Sequence, residues 1–150
     1  MAADELSTVD ALAQLSFLVH NTLERRAAEQ ELSMIQTRLL GVLRDREPTM
    51  NELAALLELD KSSITGLVDR AQRRGLVERH PSPTDRRAVL VRLTATGREL
   101  VTVAAARFAG DVTALLAGLS ATDRAALTRV LSRVLVSHAA EQGIDLFPTA

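Results

Sequence analysis

The sequence predicts a mainly α-helical fold with one small β-hairpin. Three observations lead there. Apolar residues recur at helical spacing in six segments, most of them opened by Ser, Thr or Asp where an N-cap would sit. Hydrophobic residues make up 47% of the chain but aromatic residues only 2%, so the core must be built from Leu, Val and Ala, which suits helices. Residues 60–92 depart from the helical pattern. There a capped helix runs into two strand-like runs separated by Pro81-Ser82-Pro83-Thr84-Asp85, a turn that fits neither a helix nor a central strand.

Residues 1–8 read as frayed or weakly capped. From Val9 to about Glu31, Leu12, Leu15, Phe17, Leu18, Val19 and Leu23 give a long helix with a wide apolar face. Ser33 and Gln36 have capping-box spacing and open a second helix through Leu39, Leu40 and Leu43 to Arg46, with Pro48 as its stop. Thr49 and Glu52 repeat the box and open a short helix through Leu57. Glu58-Leu59-Asp60 is a tight turn into a fourth helix, capped by Asp60 and ended by Gly75, with Ile64, Leu67, Val68 and Ala71 on its apolar face. Leu76–Arg79 and Ala88–Leu93 read as strands, the second alternating Val89, Val91 and Leu93 against Leu90 and Arg92. Thr94 starts a long helix that Gly118 ends. Ser120 and Asp123 cap the last one, and Gly143 and Pro148 close a short tail.

Charge singles out the same stretch. Residues 60–92 hold eight basic residues (Lys61, Arg70, Arg73, Arg74, Arg79, Arg86, Arg87, Arg92) against four acidic ones, net +4, while the whole chain is −1, so the remainder carries −5. A solvated basic face is the bland explanation for a charge run. Concentrated on one helix and one hairpin of a near-neutral chain, it is the electrostatic footprint of a nucleic-acid-binding element. Two short helices joined by a turn of about three residues form a helix-turn-helix, whose second helix enters the major groove by its N-terminal end. Lys61, Ser62, Ser63 and Thr65 stand at that end, and hydroxyls can bond base edges or phosphates. Gly66 costs about 1 kcal/mol relative to Ala in mid-helix. Either it permits close approach of a helix or DNA, or it is a tolerated defect.

Other function classes find little support. There is no Cys, hence no disulfide framework, thiolate metal site or thiol redox chemistry. His20, His80 and His138 fall on three different elements without ligand spacing, so no metal or other cofactor is expected. His80 reads as structural or as a phosphate contact. No phosphate loop, Ser-His-Asp set or paired catalytic carboxylates are visible, so the chain is not expected to be an enzyme. No apolar run approaches the roughly 20 residues that span a bilayer, and the acidic N-terminus lacks the regions of a signal peptide, so a cytoplasmic protein without membrane contact is expected. The long terminal helices carry more apolar surface than one small central lobe can cover. A homodimer made by them is the economical solution.

The joint spacing of Val68-Asp69-Arg70, Arg74-Gly75-Leu76-Val77, Asp85-Arg86-Arg87, Leu93-Thr94 and Gly97 resembles that of MarR-type transcriptional regulators, and the resemblance extends from about Val9 to His138. It implies a single subunit over 1–150, with a winged helix-turn-helix lobe over 32–94 and dimerisation helices over 9–31 and 95–139. In the family, the helix matching Lys61–Arg74 reads the major groove of double-stranded DNA and the arginine matching Arg87 enters the minor groove. The DNA-binding candidates are therefore Lys61, Ser62, Ser63, Thr65, Arg70, Arg73, Arg74, Arg86 and Arg87. Asp85 supports the wing by holding Arg87, a neighbouring amide or Arg70. Members usually repress genes, and many release a pseudo-palindromic operator when a small aromatic or lipophilic effector binds between the two lobes. Phe17, His20, Met34 and Arg38 are the candidates here. The rival is a winged helix used only for protein contact, which salt-dependent DNA retention would exclude.

Overall fold

A computed structural model describes residues 5–146. The reading of Pro148 lies outside the described residues, as do residues 1–4. Six helices and one hairpin follow in the expected order: α1 (Thr8–Glu29), α2 (Met34–Leu43), α3 (Met50–Leu57), α4 (Lys61–Arg73), β1 (Val77–Pro81), β2 (Val89–Leu93), α5 (Ala95–Leu115) and α6 (Ala121–Glu141). Both predicted capping boxes form: Ser33 with Gln36 on α2, and Thr49 with Glu52 on α3. The start of α1 is firmer than expected, because Ser7 Oγ accepts from Asp10 N at 3.1 Å and caps the helix at Thr8.

Two boundaries differ from the sequence reading. Helix α2 ends at Leu43, not Arg46, so Pro48 is not its stop. The chain leaves the helix early to reach the sheet: Pro48 O accepts from Val91 N at 2.9 Å, and Thr49 bridges Leu90. Strand β1 also runs on through His80 and Pro81, with Pro81 opposite Val89 in the antiparallel register that begins at Val77 and Leu93. Strand β2 has the Pro48–Thr49 segment on its other side, so β1 is the edge strand, where the missing N–H of proline costs no ladder bond.

Helices α1, α3, α4 and α6 end alike. In α4, Leu76 N donates to Ala71 O and Gly75 N to Gln72 O, a Schellman motif with Gly75 at φ 71°. Leu32 and Leu59 close α1 and α3 by the same pattern, but there the left-handed residues are Glu31 (φ 53°) and Glu58 (φ 55°). The motifs of α1, α3 and α4 hand Leu32, Leu59 and Leu76 to the core. That core lies between α2, α3, α4, the hairpin and the first turns of α5, where Leu39, Leu53, Val68 and Val91 are completely excluded from solvent.

Two contacts position the lobe. At the α5 start, Thr94 Oγ1 donates to Gly75 O (2.6 Å) and accepts from Gly97 N (3.0 Å), and a Cβ on Gly97 would stand 2.0 Å from Leu76 O. Only glycine fits there. Farther along, Arg26 of α1 grips Asp111 of α5 through Nε and Nη2 at 2.7 and 2.8 Å. That fork raises the guanidinium's pKa and holds the Asp111 carboxyl below its ordinary range.

Candidate nucleic-acid interface

Helix α4 packs Ile64, Leu67, Val68 and Ala71 inward, which leaves Lys61, Ser62, Ser63 and Thr65 exposed at its first turns. Asp60 sets that end: its Oδ1 accepts from Ser63 N (2.7 Å) and from Ser62 Oγ (2.9 Å). These bonds, the Ser63 amide first, hold the Asp60 carboxyl below its ordinary value of 3.8. Ser62 and Thr65 have both committed their hydroxyl hydrogens, Thr65 to Lys61 O at 2.8 Å. In this state they present lone pairs outward and suit amino groups on base edges. A Cβ on Gly66 would meet Arg70 Nη1 at 3.2 Å and no neighbouring element, so packing against another helix of the chain is not its reason.

The basic residues separate by what they touch. Arg79 is used inside the protein, bonding Asp69 (2.7 Å) and Gln72 (2.6 Å) and so bracing the hairpin on α4. Arg92 pairs with Glu78 across the strands at 2.6 Å. Arg74 donates to Glu31 O (2.8 Å) and Gln30 O (3.0 Å) at the end of α1. Among the described residues, Lys61, Arg70, Arg73, Arg86 and Arg87 are exposed, with no side-chain hydrogen bond or ion pair. The cations free to meet a partner are thus three positions on α4 and two on the turn beyond β1, while Arg74 keeps its charge but spends its donors on carbonyls.

That turn is held by its own backbone. Ser82 N donates to Ala88 O (3.0 Å) and Ala88 N to Asp85 O (3.1 Å), while Ser82 Oγ accepts from the amides of Thr84 and Asp85. Of the three partners considered for Asp85, it takes the amide: Arg87 N donates to Asp85 Oδ1 at 2.9 Å. The Arg87 guanidinium is left free. His80 sits below the turn, half-buried, with Nε2 3.0 Å from Glu47 Oε2 but without hydrogen-bond alignment. It is a structural neighbour of the α2–α3 connection.

Residues 30–88, from the end of α1 to the turn beyond β1, match the model of the MarR family. The transcriptional repressor NicR of Pseudomonas putida is 30% identical over 138 residues, covering 89% of this chain and 86% of that protein. The chain belongs to the MarR family. Wild-type MarR from E. coli in its apo form superposes with a TM-score of 0.70 at 26% identity, over 88% of this chain and 99% of that one. A mutant of S. aureus MepR bound to an oligodeoxyribonucleotide superposes at 0.63 and 20% identity, covering 89% and 99%. As a MarR-family protein the chain is a DNA-binding transcriptional regulator of winged helix-turn-helix fold and not an enzyme. No helix among the described residues is long and apolar enough to cross a membrane.

The effector candidates fare unevenly in this MarR-family chain. An apolar cleft of about 300 Å³ opens between α1, α2 and α5, lined by Leu23, Leu40, Val101, Ala104 and Phe108 with Arg38 at its side. Phe17, His20 and Met34 are not among its lining residues, and Phe17 is 62% exposed. Helical spacing placed them on α1 and α2 but could not say which neighbour packs on each turn. Leu23 belongs to the wide apolar face of the first helix, and no local pattern marks it or Phe108 as lining a cleft.

Proposed function

We propose that two copies of the chain bind a pseudo-palindromic operator in double-stranded DNA and repress transcription there. Residues 32–94 are the DNA-binding lobe, and residues 9–31 and 95–139 carry the dimer contact. The carrying observation is the set of five exposed, unpaired cations on α4 and the hairpin turn, in a stretch where Arg79, Arg92 and Arg74 are internally engaged. Helix α4 enters the major groove by its N-terminal end, with Lys61, Ser62, Ser63 and Thr65 toward base edges and Arg70 and Arg73 toward phosphates. Arg87 enters the minor groove, where the negative potential is enhanced, and Arg86 contacts phosphate. Asp85 supports the wing through the Arg87 amide. The oligodeoxyribonucleotide complex of the MepR mutant supports this use of the fold.

The dimer reading rests on apolar faces left outside the core: Val9, Phe17 and Leu18 on α1, and Val130, Val134 and Leu135 on α6 are all exposed. Release by a small aromatic or lipophilic effector rests on the cleft between α1, α2 and α5, with Arg38 as the counter-charge for an anion.

The test compares two neighbours. Arg87→Ala weakens operator binding by about 1–3 kcal/mol and flattens the salt dependence by about one unit, whereas Arg86→Ala costs less. Titrations on operator and random DNA at several salt concentrations measure both. Equal, small losses would remove the minor-groove role from Arg87. Retention that does not depend on salt would favour a protein-contact module.

A further inference from the structure

We infer that Arg74 is a positioning residue: it does not touch DNA but sets the stance of α4 against α1, and through it the half-site spacing the protein accepts. The inference rests on α4 being the reading helix. Arg74 follows the last residue of α4, and its guanidinium forks two successive carbonyls, Gln30 O and Glu31 O, just past the end of α1. The Schellman turn there uses the carbonyls of Ala27 and Ala28, so those of Gln30 and Glu31 are left for an outside donor. A cation is favoured at this negative helix end, and a planar fork with two donors suits two adjacent acceptors. Glu31, held at φ 53°, turns its carbonyl into reach.

The other tie on α4 is the Arg79 brace to Asp69 and Gln72, also in its C-terminal half. Among the described residues, no hydrogen bond joins the side chains of Lys61, Ser62, Ser63 or Thr65 to another element. The reading end is locked into the lobe core by Ile64 and Leu67, so it swings only with the lobe as one body, which Arg74 ties to α1. It lies about 20 Å from Arg74 at 1.5 Å per residue, so a swing of roughly 5° moves it by roughly 2 Å. Two protomers doing so shift the half-site separation by about one base-pair step of 3.4 Å.

The chain has no cysteine, so Glu24→Cys and Thr65→Cys can be spin-labelled specifically on α1 and α4. Labelled protein diluted with unlabelled chain reports the distance within one protomer, without DNA. Arg74→Ala should broaden that distribution. Arg74→Lys, which keeps the charge but cannot fork two carbonyls, should broaden it too. An unchanged distribution in both variants overturns the inference. On operators with the half-site spacing changed by one base pair, Arg74→Lys should lose most of the preference for the correct spacing, with the salt slope unchanged. Its affinity for the correct spacing should fall about tenfold, the scale of one charge-assisted hydrogen bond. An Arg74→Ala loss equal at every spacing, with the salt slope flattened by about one unit, would make Arg74 a phosphate contact and overturn the inference. Failure of the α4 reading shows separately, as base preference untouched by Ser62→Ala and Thr65→Val in an Arg74 background.

Discussion

The winged lobe and the terminal helices are built from the same few apolar residue types, yet they end in opposite states. In the lobe, Leu39 and Val68 are wholly excluded from water; on α1 and α6, Phe17 is 62% and Val134 61% exposed. The difference is geometric. Four helices and a hairpin converge on one centre from several directions, and each contributes a face. Helices α1 and α6 are long rods whose only fully buried residues are Ala27 and Ala139. Apolar burial stabilises by roughly 25 cal/mol per Å², so their faces hold stabilisation that this chain alone does not realise. Composition therefore says how much apolar surface exists, and only the arrangement says whether one copy can cover it.

If the lobe is self-contained, its worst injury should come from within. Gly97→Ala drives a Cβ into the backbone of Leu76, where α4, β1 and α5 meet. Chemical denaturation should show a loss of roughly 3 kcal/mol or more, the scale of a forced overpacking with backbone shift. A loss below about 1 kcal/mol would mean that the junction gives way easily and the lobe is less closed than its burial suggests. The terminal helices should answer differently. Val134→Glu on α6 is predicted to raise the dimer dissociation constant about a hundredfold, close to the burial of one large apolar side chain, while the lobe keeps its stability. Sedimentation measures the first and denaturation the second. Wild-type dimerisation by the variant would take this face of α6 out of the contact and break the comparison.

The smallest effect sharpens the comparison inside the lobe. Gly75 and Glu58 do the same work at the ends of α4 and α3, in the left-handed region that costs an L-residue about 1–2 kcal/mol. Glu58→Gly removes that strain but loosens the unfolded chain, leaving a gain of about 0.5–1 kcal/mol by denaturation. A loss instead would show that the Glu58 side chain has a compensating contact.

Local chemistry was legible along the chain. Ser33, Thr49, Asp60, Thr94 and Ser120 cap the helices they were read to cap, because a cap is settled within about three residues of sequence. The charge concentration was legible too, since it needs only counting. Pro81 was misplaced because its tolerance in β1 depends on which side of that strand has a neighbour. The end of α2 differs from the local pattern because Pro48 O accepts from Val91 N, 43 residues further along the sequence but 2.9 Å away in space.

The candidate interface divides along the same line. The sequence by itself determined which residue types gather on α4 and the hairpin, and which periodic faces are apolar, since both follow from spacing along one chain. Only the tertiary structure decided which cations are free. Arg73 and Arg74 are adjacent and chemically identical, yet one faces solvent and the other is spent on carbonyls of α1. It decided as well that Asp85 holds an amide rather than a guanidinium, and that Arg38 reaches the cleft while Phe17 does not. A side chain's partner is whatever distant element folding brings within about 3 Å, and a hydrogen bond is short and directional, so a turn of roughly 100° along a helix replaces one partner by another.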